Sequence, residues 1–359
     1  MFVYKIIMFL CCILLFATRN SKNKIKPLAI SFGLIWLMVA LQQGWGGDFD
    51  YYFQHFDQIQ GESFSNLVVD DSHGEVGYKL FMSVMPTFQS GFAIAMFIWC
   101  FSLAFFFYHF IPQKWWFFAL LFVFLDRPIL MGMIASFPRM AIANAFLFFA
   151  MYLVKIKKNK YGVLLLIPAF FFHKSVLFLL ALLFMPDKPM KGLSRSIVFL
   201  LFLLVAFSWA APNLFIGYTQ SMVTEVEALS QYASYFDDAQ SFQMRGLSLI
   251  VISYWIFLLI KLGLSDDLAP FEYFLLYCAL VRVAFNLLPD IGMSVRFYYF
   301  VDTYFFAGMM CVMNRLPKDS PHRYGLAVTL ILMFWFLGFR KFSSDPFFLE
   351  NWNFYNFIL

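Results

Sequence analysis

Charge is what this sequence has least of. Of its 359 residues only 13% are Asp, Glu, Lys or Arg, against 62% that are apolar. The mean hydropathy is +0.74. A soluble domain of this length has no use for so much apolar surface and would aggregate. Short alternating strands are missing too; the apolar runs are continuous, which excludes a closed barrel. The five cysteines (Cys11, Cys12, Cys100, Cys278 and Cys311) all fall inside those runs, so no loop holds a disulfide framework and no pair has zinc-site spacing. No spacing specifies any other metal, and no cofactor is expected. A Gly-rich phosphate loop of the P-loop type is absent, which argues against an ATP site. The net charge of +5 sits in short turns and forms no basic domain, so nucleic acid is not an expected partner. The first apolar run, Phe2 to Ala17, has a single early Lys5, ends in Thr18-Arg19-Asn20 and lacks a small-residue cleavage pattern. It reads as a first membrane span and not as a cleaved signal.

What is there is a series of apolar runs, most close to the ~20 residues a helix needs to cross a bilayer. They cover 2–17, 26–43, 90–110, 115–134, 138–154, 161–185, 196–216, 246–264, 270–288, 294–313 and 324–340. The expected fold is all-α: one polytopic integral membrane domain over residues 1–359, with about 10–12 transmembrane helices. Two long connections, about 44–89 and 217–245, are the expected outer loops.

Sidedness follows from charge. Gly44 to Glu75 carries Asp48, Asp50, Asp57, Glu62, Asp70, Asp71 and Glu75, and no Lys or Arg. Gly217 to Gln243 carries Glu225, Glu227, Asp237 and Asp238, and again no Lys or Arg. The basic turns are Arg19 to Lys26, Lys155 to Lys160, Lys188 to Arg195 and Arg315 to Arg323. Basic turns stay cytoplasmic, so the acidic loops face outward. The run 161–185 has a basic turn on both sides and carries Pro168, His173 and Lys174 near its middle. A single crossing there would invert every later loop. It reads as a broken, re-entrant hairpin with His173 near its tip, a feature tolerated only where protein or a wet cavity surrounds it. The alternative is one long tilted helix with a proline kink.

Arg139, Arg245 and Arg296 each begin an inward-running helix under this topology. Ser136-Phe-Pro138-Arg139 has Ser as a cap and Pro in the first turn, and Gly292-Met-Ser294-Val-Arg296 reads the same way. A helix amino terminus offers free N–H groups, and Arg adds a planar fork that fits phosphate oxygens. Arg127, beside Asp126, and Arg282, inside a span, are further candidates. The competing explanation is arginines that snorkel to lipid headgroups. In the first outer loop, Asp48, Asp50 and Tyr52 bring carboxylates beside aromatic rings, a combination that suits sugar hydroxyls and pyranose faces. Glu75-Val-Gly77-Tyr78 opens a second short apolar stretch there. His173 among phenylalanines is a candidate base, or a structural hydrogen-bonder.

In order, four patches resemble the EpsG-like branch of the Wzy-type polysaccharide polymerases. They are Gly47-Asp48-Phe49-Asp50-Tyr51-Tyr52, Glu75-Val76-Gly77-Tyr78, Arg139-Met140-Ala141-Ile142-Ala143 and Ala169-Phe-Phe-Phe-His173-Lys174-Ser175. Arg296-Phe-Tyr-Tyr-Phe300 is similar to that family's C-terminal Arg-aromatic patch. Members often have an Arg before the Gly-Asp patch. This chain has Gln42-Gln43-Gly44-Trp45, which moves the expected pyrophosphate contacts to Arg139 and the later arginines.

The resemblance implies a glycosyltransferase of GT-C-like helical architecture in the inner membrane of a Gram-negative bacterium. It would join oligosaccharide repeat units linked to undecaprenyl pyrophosphate on the periplasmic face, releasing undecaprenyl pyrophosphate. The expected partners are that lipid-linked oligosaccharide, membrane lipid and a chain-length-regulating protein. The expected catalytic residues are His173, Asp48 and Glu75; the pyrophosphate binders are Arg139, Arg296, Arg245 and Arg127; the sugar binders are Asp50, Tyr52 and Tyr78. A flippase for the same lipid-linked sugars and an O-antigen ligase are the alternatives.

Overall fold

The computed structural model describes residues 2–43, 49–69, 75–125, 138–174, 176, 180–189, 268–285, 292–333 and 353–354, with isolated helical positions between 196 and 221. The expected spans 196–216 and 246–264 and the loop 217–245 lie wholly or largely outside those residues. The described chain is helical: α1 (Phe2–Ala17), α2 (Ile25–Ala40), α3 (Phe49–Ile59), α4 (Phe64–Val69), α5 (Val76–Ser83), α6 (Phe88–Phe110), α7 (Trp116–Leu125), α8 (Pro138–Met151), α9 (Leu166–Phe172), α10 (Leu180–Leu183), α11 (Pro270–Phe285), α12 (Gly292–Arg315) and α13 (Pro321–Met333). Among the described residues the one strand pairing is a two-residue antiparallel ladder, Gln42–Gln43 with Asn353–Phe354. The chain divides into two compact units, one of Met1–Leu183 with Leu330–Leu359, the other of Phe184–Thr329.

Two described helical stretches, Phe88–Phe110 and Pro138–Ile156, are long and apolar enough to cross a membrane; Ile6–Ala17, Ile25–Ala40 and Lys160–Phe172 are apolar but shorter. Helix α6 shows what kind of surface they present. Its inner side buries Phe92, Met96, Trp99, Leu103, Phe106 and Phe110, and its outer side exposes Ile94, Phe97, Phe101 and Tyr108. A helix in water would place charge on that outer stripe; one that is apolar all round belongs in a core or in lipid. The start of α6 is set by a capping box: Thr87 Oγ1 accepts from Ser90 N at 3.1 Å, and Ser90 Oγ accepts from Thr87 N at 3.3 Å.

In the first unit α6 is the centre. Helix α2 is tied to it where Trp36 Nε1 donates to Ala93 O at 2.9 Å and Gln89 Nε2 donates to Ala40 O at 2.5 Å. Helix α8 packs on its other side, with Trp99 stacked on Phe148 at 5.5 Å and Phe106 against the same ring at 4.7 Å. Gln113 Nε2 reaches the carbonyls of Thr18 and Ser21, both at 3.0 Å, and so fastens the α6–α7 turn to the α1–α2 turn. Helix α8 continues through a wide turn, Tyr152–Ile156, and ends where Lys158 takes a left-handed φ of 54°.

The run that carries two basic turns is interrupted. A tight 3-10 turn, Lys160–Leu165, leads into α9, and α9 stops at His173, whose backbone is extended at φ −160°, ψ 112°. The break expected near His173 therefore lies at His173 itself.

In the second unit α11 and α12 form an antiparallel pair. A Cβ on Gly308 would fall 2.6 Å from Leu275 O, so the absence of a side chain lets the two backbones approach. Arg315 Nε donates to Glu272 Oε1 at 3.0 Å and its NH2 group bonds the other carboxylate oxygen. Arg282, an anion-binding candidate by sequence, is paired with the fully buried Asp302.

Candidate active site

Three helices and one helix end in the first unit bring five of the sequence-selected residues together. Helix α3 buries Tyr52, His55, Phe56 and Ile59 and exposes Asp57 and Gln58, the i, i+3, i+4, i+7 spacing of an amphipathic helix. That spacing turns Tyr52 inward, where its ring meets Tyr78 of α5 edge-on at 5.5 Å. Helix α5 in turn lies against α9. A Cβ on Gly77 would sit 2.8 Å from Phe171 O, so only glycine permits this approach without a shift of backbone. The approach places Glu75, the residue before α5, beside the end of α9, and Glu75 Oε1 accepts from the backbone N–H of Lys174 at 3.3 Å.

Arg139 enters from the first turn of α8, directly after Pro138. Its Nε donates to Tyr52 Oη at 2.9 Å and its Nη1 donates to Glu75 Oε2 at 2.5 Å. The guanidinium also lies 5.2 Å from the centre of the Tyr52 ring. The arginine side chain keeps 20% of its surface exposed and the glutamate 10%. The pair is thus largely withdrawn from water but not sealed, where charge-assisted bonds are strong.

His173 is buried at the α9 terminus, next to the Lys174 N–H that meets Glu75. Burial opposes ionisation of Glu75. The Arg139 cation, His173 and backbone N–H groups outweigh it and hold the carboxyl below its usual pKa. Glu75 is consequently ionised at neutral pH. The Tyr78 hydroxyl is buried beside these groups with no hydrogen-bond partner among the described residues. An unsatisfied buried hydroxyl is costly and suits a ligand oxygen.

Chemically, the cluster offers a two-pronged cation, a carboxylate, an imidazole and two phenols, which fits an anion with hydroxyl groups nearby. Among the described residues no group of His, Cys, Asp and Glu could hold a metal ion. Glu75, Tyr52, Tyr78, Arg139 and His173 come together. Arg296 lies on α12 in the other unit, and Asp50 lies on α3; the side chains of both are outside the described set. Asp48, Arg127, Arg245 and the capping candidate Ser136 lie outside the described residues.

Sequence reasoning gave Arg139 and Glu75 separate roles and did not foresee that they pair. It also passed over Lys79, which is buried on α5 one turn after Glu75, where its backbone N–H makes the ordinary helical bond to the Glu75 carbonyl at 3.2 Å. A lysine inside the apolar run Val76 to Met82 was the available signal, because charge in such a setting is retained only with partners.

The family model described as EpsG family matches residues 25–357. The chain belongs to the EpsG family. All four patches of the first unit, the pairing of Arg139 with Glu75 and the α11–α12 pair fall inside the matched span. No curated protein and no solved structure matches the chain. EpsG membership, with the apolar outer faces of the helices, makes this a membrane protein of polysaccharide synthesis with polymerase-like, glycosyltransferase-like activity on lipid-linked saccharide.

Proposed function

We propose that this EpsG-family chain is a multi-pass inner-membrane polymerase of the O-antigen type, joining undecaprenyl-pyrophosphate-linked repeat units on the periplasmic face. The observation that carries the reading is the Arg139 fork, held at the start of a helix between Tyr52 and Glu75, with His173 alongside.

The reaction needs what this cluster provides. A hydroxyl oxygen of the acceptor sugar bonds to the anomeric carbon of the donor. The bond from that carbon to the pyrophosphate breaks, and undecaprenyl pyrophosphate leaves with the electron pair. Arg139 stabilises the charge that grows on the leaving group, and the amino terminus of α8 points the same way. His173 or Glu75 takes the hydroxyl proton. Tyr52 and Tyr78 hold sugar by stacking and hydrogen bonding, with Asp48 and Asp50 of the same loop. Arg296, Arg245 and Arg127 are further cations for the two lipid-linked pyrophosphates. The activated donor bond supplies the driving force. A chain-length-regulating protein is the expected partner.

The test is a glycan gel from cells carrying single substitutions. Arg139→Ala, Arg296→Ala and His173→Ala each leave the protein in the membrane and shorten surface glycan to one repeat unit. A wild-type ladder from all three overturns the site. Accumulation of lipid-linked repeat on the cytoplasmic side of a deletion strain would identify a flippase instead.

A further inference from the structure

Arg139 is the cation best placed to hold a pyrophosphate, yet two of its three nitrogens are engaged. Nη1 bonds Glu75 and Nε bonds Tyr52. The carboxylate oxygen on Nη1, Glu75 Oε2, stands where one phosphate oxygen would bond. Glu75 is also not held by Arg139 alone. Its second oxygen bonds the Lys174 N–H, and its backbone begins α5, which Gly77 locks onto the α9 carbonyl of Phe171. The carboxylate therefore has a second anchor on the His173 side when the first is removed. Beside it the buried Tyr78 hydroxyl has no hydrogen-bond partner among the described residues, and a phosphate or sugar oxygen would supply one.

We infer that Glu75 is a built-in stand-in for the donor's pyrophosphate, and that donor binding is an ion-pair exchange in which pyrophosphate displaces Glu75 from Arg139. The exchange rests on the polymerase reading and adds an order to it. Until a pyrophosphate arrives, the carboxylate is committed to the guanidinium. Once displaced, it stays on the α9 side with the Lys174 N–H and His173, where an acceptor hydroxyl would lose its proton. Donor binding thus precedes formation of a competent acceptor site. With no donor bound the arginine is neutralised by Glu75, which limits capture of other anionic headgroups. Glu75 acts here as a positioning residue that gates Arg139.

The experiment uses the full chain in lipid nanodiscs and inorganic pyrophosphate as the probe, with binding read by calorimetry. Arg139→Ala loses pyrophosphate binding; if it binds as wild type does, the anion site is not at Arg139 and the polymerase reading itself fails. Given that loss, Glu75→Gln decides the exchange. It keeps the shape and the bond from Lys174 but removes the competing charge. Pyrophosphate then binds roughly tenfold more tightly than to wild type, the equivalent of one charge-assisted bond that no longer has to be broken. Equal or weaker binding by Glu75→Gln overturns the exchange and makes Glu75 a plain support for Arg139, with the polymerase reading left standing. Glu75→Asp retains the competing charge and stays within about threefold of wild type; tightening by Glu75→Asp equal to that of Glu75→Gln would also refute the inference. Size-exclusion profiles and thermal unfolding of each variant separate misfolding from altered binding. If wild type shows no measurable binding, binding by Glu75→Gln supports the inference and its absence refutes it.

Discussion

Gly77 rests on the backbone carbonyl of Phe171, so near that a methyl group at 77 would lie 2.8 Å from that oxygen. The contact sets the distance between α5 and α9, and with it the position of Glu75 relative to His173 and Arg139. A backbone carbonyl at a helix end cannot swing aside as a side chain can. Gly77→Ala therefore displaces α5, lowers thermal stability by about 1–3 kcal/mol and shortens the glycan ladder. Gly91→Ala is the matched control. Its nearest neighbours are the Met82 sulfur and methyl, which are flexible, so it loses less of both. Thermal unfolding of the purified pair of variants, with a glycan gel from the same cells, checks the contrast.

Arg139 bonds two different partners with two different nitrogens, which a lysine cannot reproduce. Arg139→Lys is accordingly expected to lose most polymerisation while keeping its charge. Tyr52→Phe removes one of the two bonds and lowers turnover by about tenfold, equivalent to one hydrogen bond to a charged group. Glu75→Gln and Arg139→Ala combined cost less stability than the sum of the singles, because each single removes the same interaction. A double-mutant cycle on unfolding midpoints measures that difference.

The low pKa of Glu75 makes a prediction about pH. A carboxyl whose pKa is lower in the folded than in the unfolded chain stabilises the fold fully above its ordinary value, about pH 4.3. That stabilisation is lost as pH falls through the folded value. Wild type should therefore lose stability on acidification more steeply than Glu75→Gln, with the two curves parallel above about pH 6. Parallel curves down to pH 3 would show that the carboxylate contributes nothing to folding.

Much of the site was readable from local pattern. Tyr52 follows from the apolar spacing of α3, the start of α8 from Pro138, and the interruption of the run 161–185 from Pro168, His173 and the basic turns on each side. These signals lie within a few residues of one another. What sequence alone did not disclose is long-range. Arg139 and Glu75 are 64 positions apart, Glu75 and Lys174 are 99 apart, and Arg282 finds Asp302 across a helical turn-back. In a chain that is 62% apolar the periodicity of each helix is weak, so faces and partners are set by packing more than by pattern. Arg282 illustrates the result: as an isolated intramembrane arginine it resembles an anion binder, and its neighbour on α12 makes it half of an ion pair.

That ion pair yields a prediction of its own. Asp302→Ala leaves the Arg282 charge without its carboxylate and destabilises the protein by about 3–5 kcal/mol. Asp302→Leu together with Arg282→Met replaces the pair with apolar groups and recovers most of the loss. Unfolding midpoints of the three variants in the same detergent test the ordering. Polymerisation by the apolar double variant would assign the pair to the fold alone.

The most direct test of the central claim is reconstitution. The purified chain in liposomes receives an undecaprenyl-pyrophosphate-linked repeat unit and nothing else, and both the glycan and the released lipid pyrophosphate are measured. The account predicts a ladder of chain lengths with one undecaprenyl pyrophosphate released per bond formed, and neither product from Arg139→Ala. A ladder from Arg139→Ala equal to that of wild type, or transbilayer movement of the lipid-linked unit without any new glycosidic bond, would contradict it.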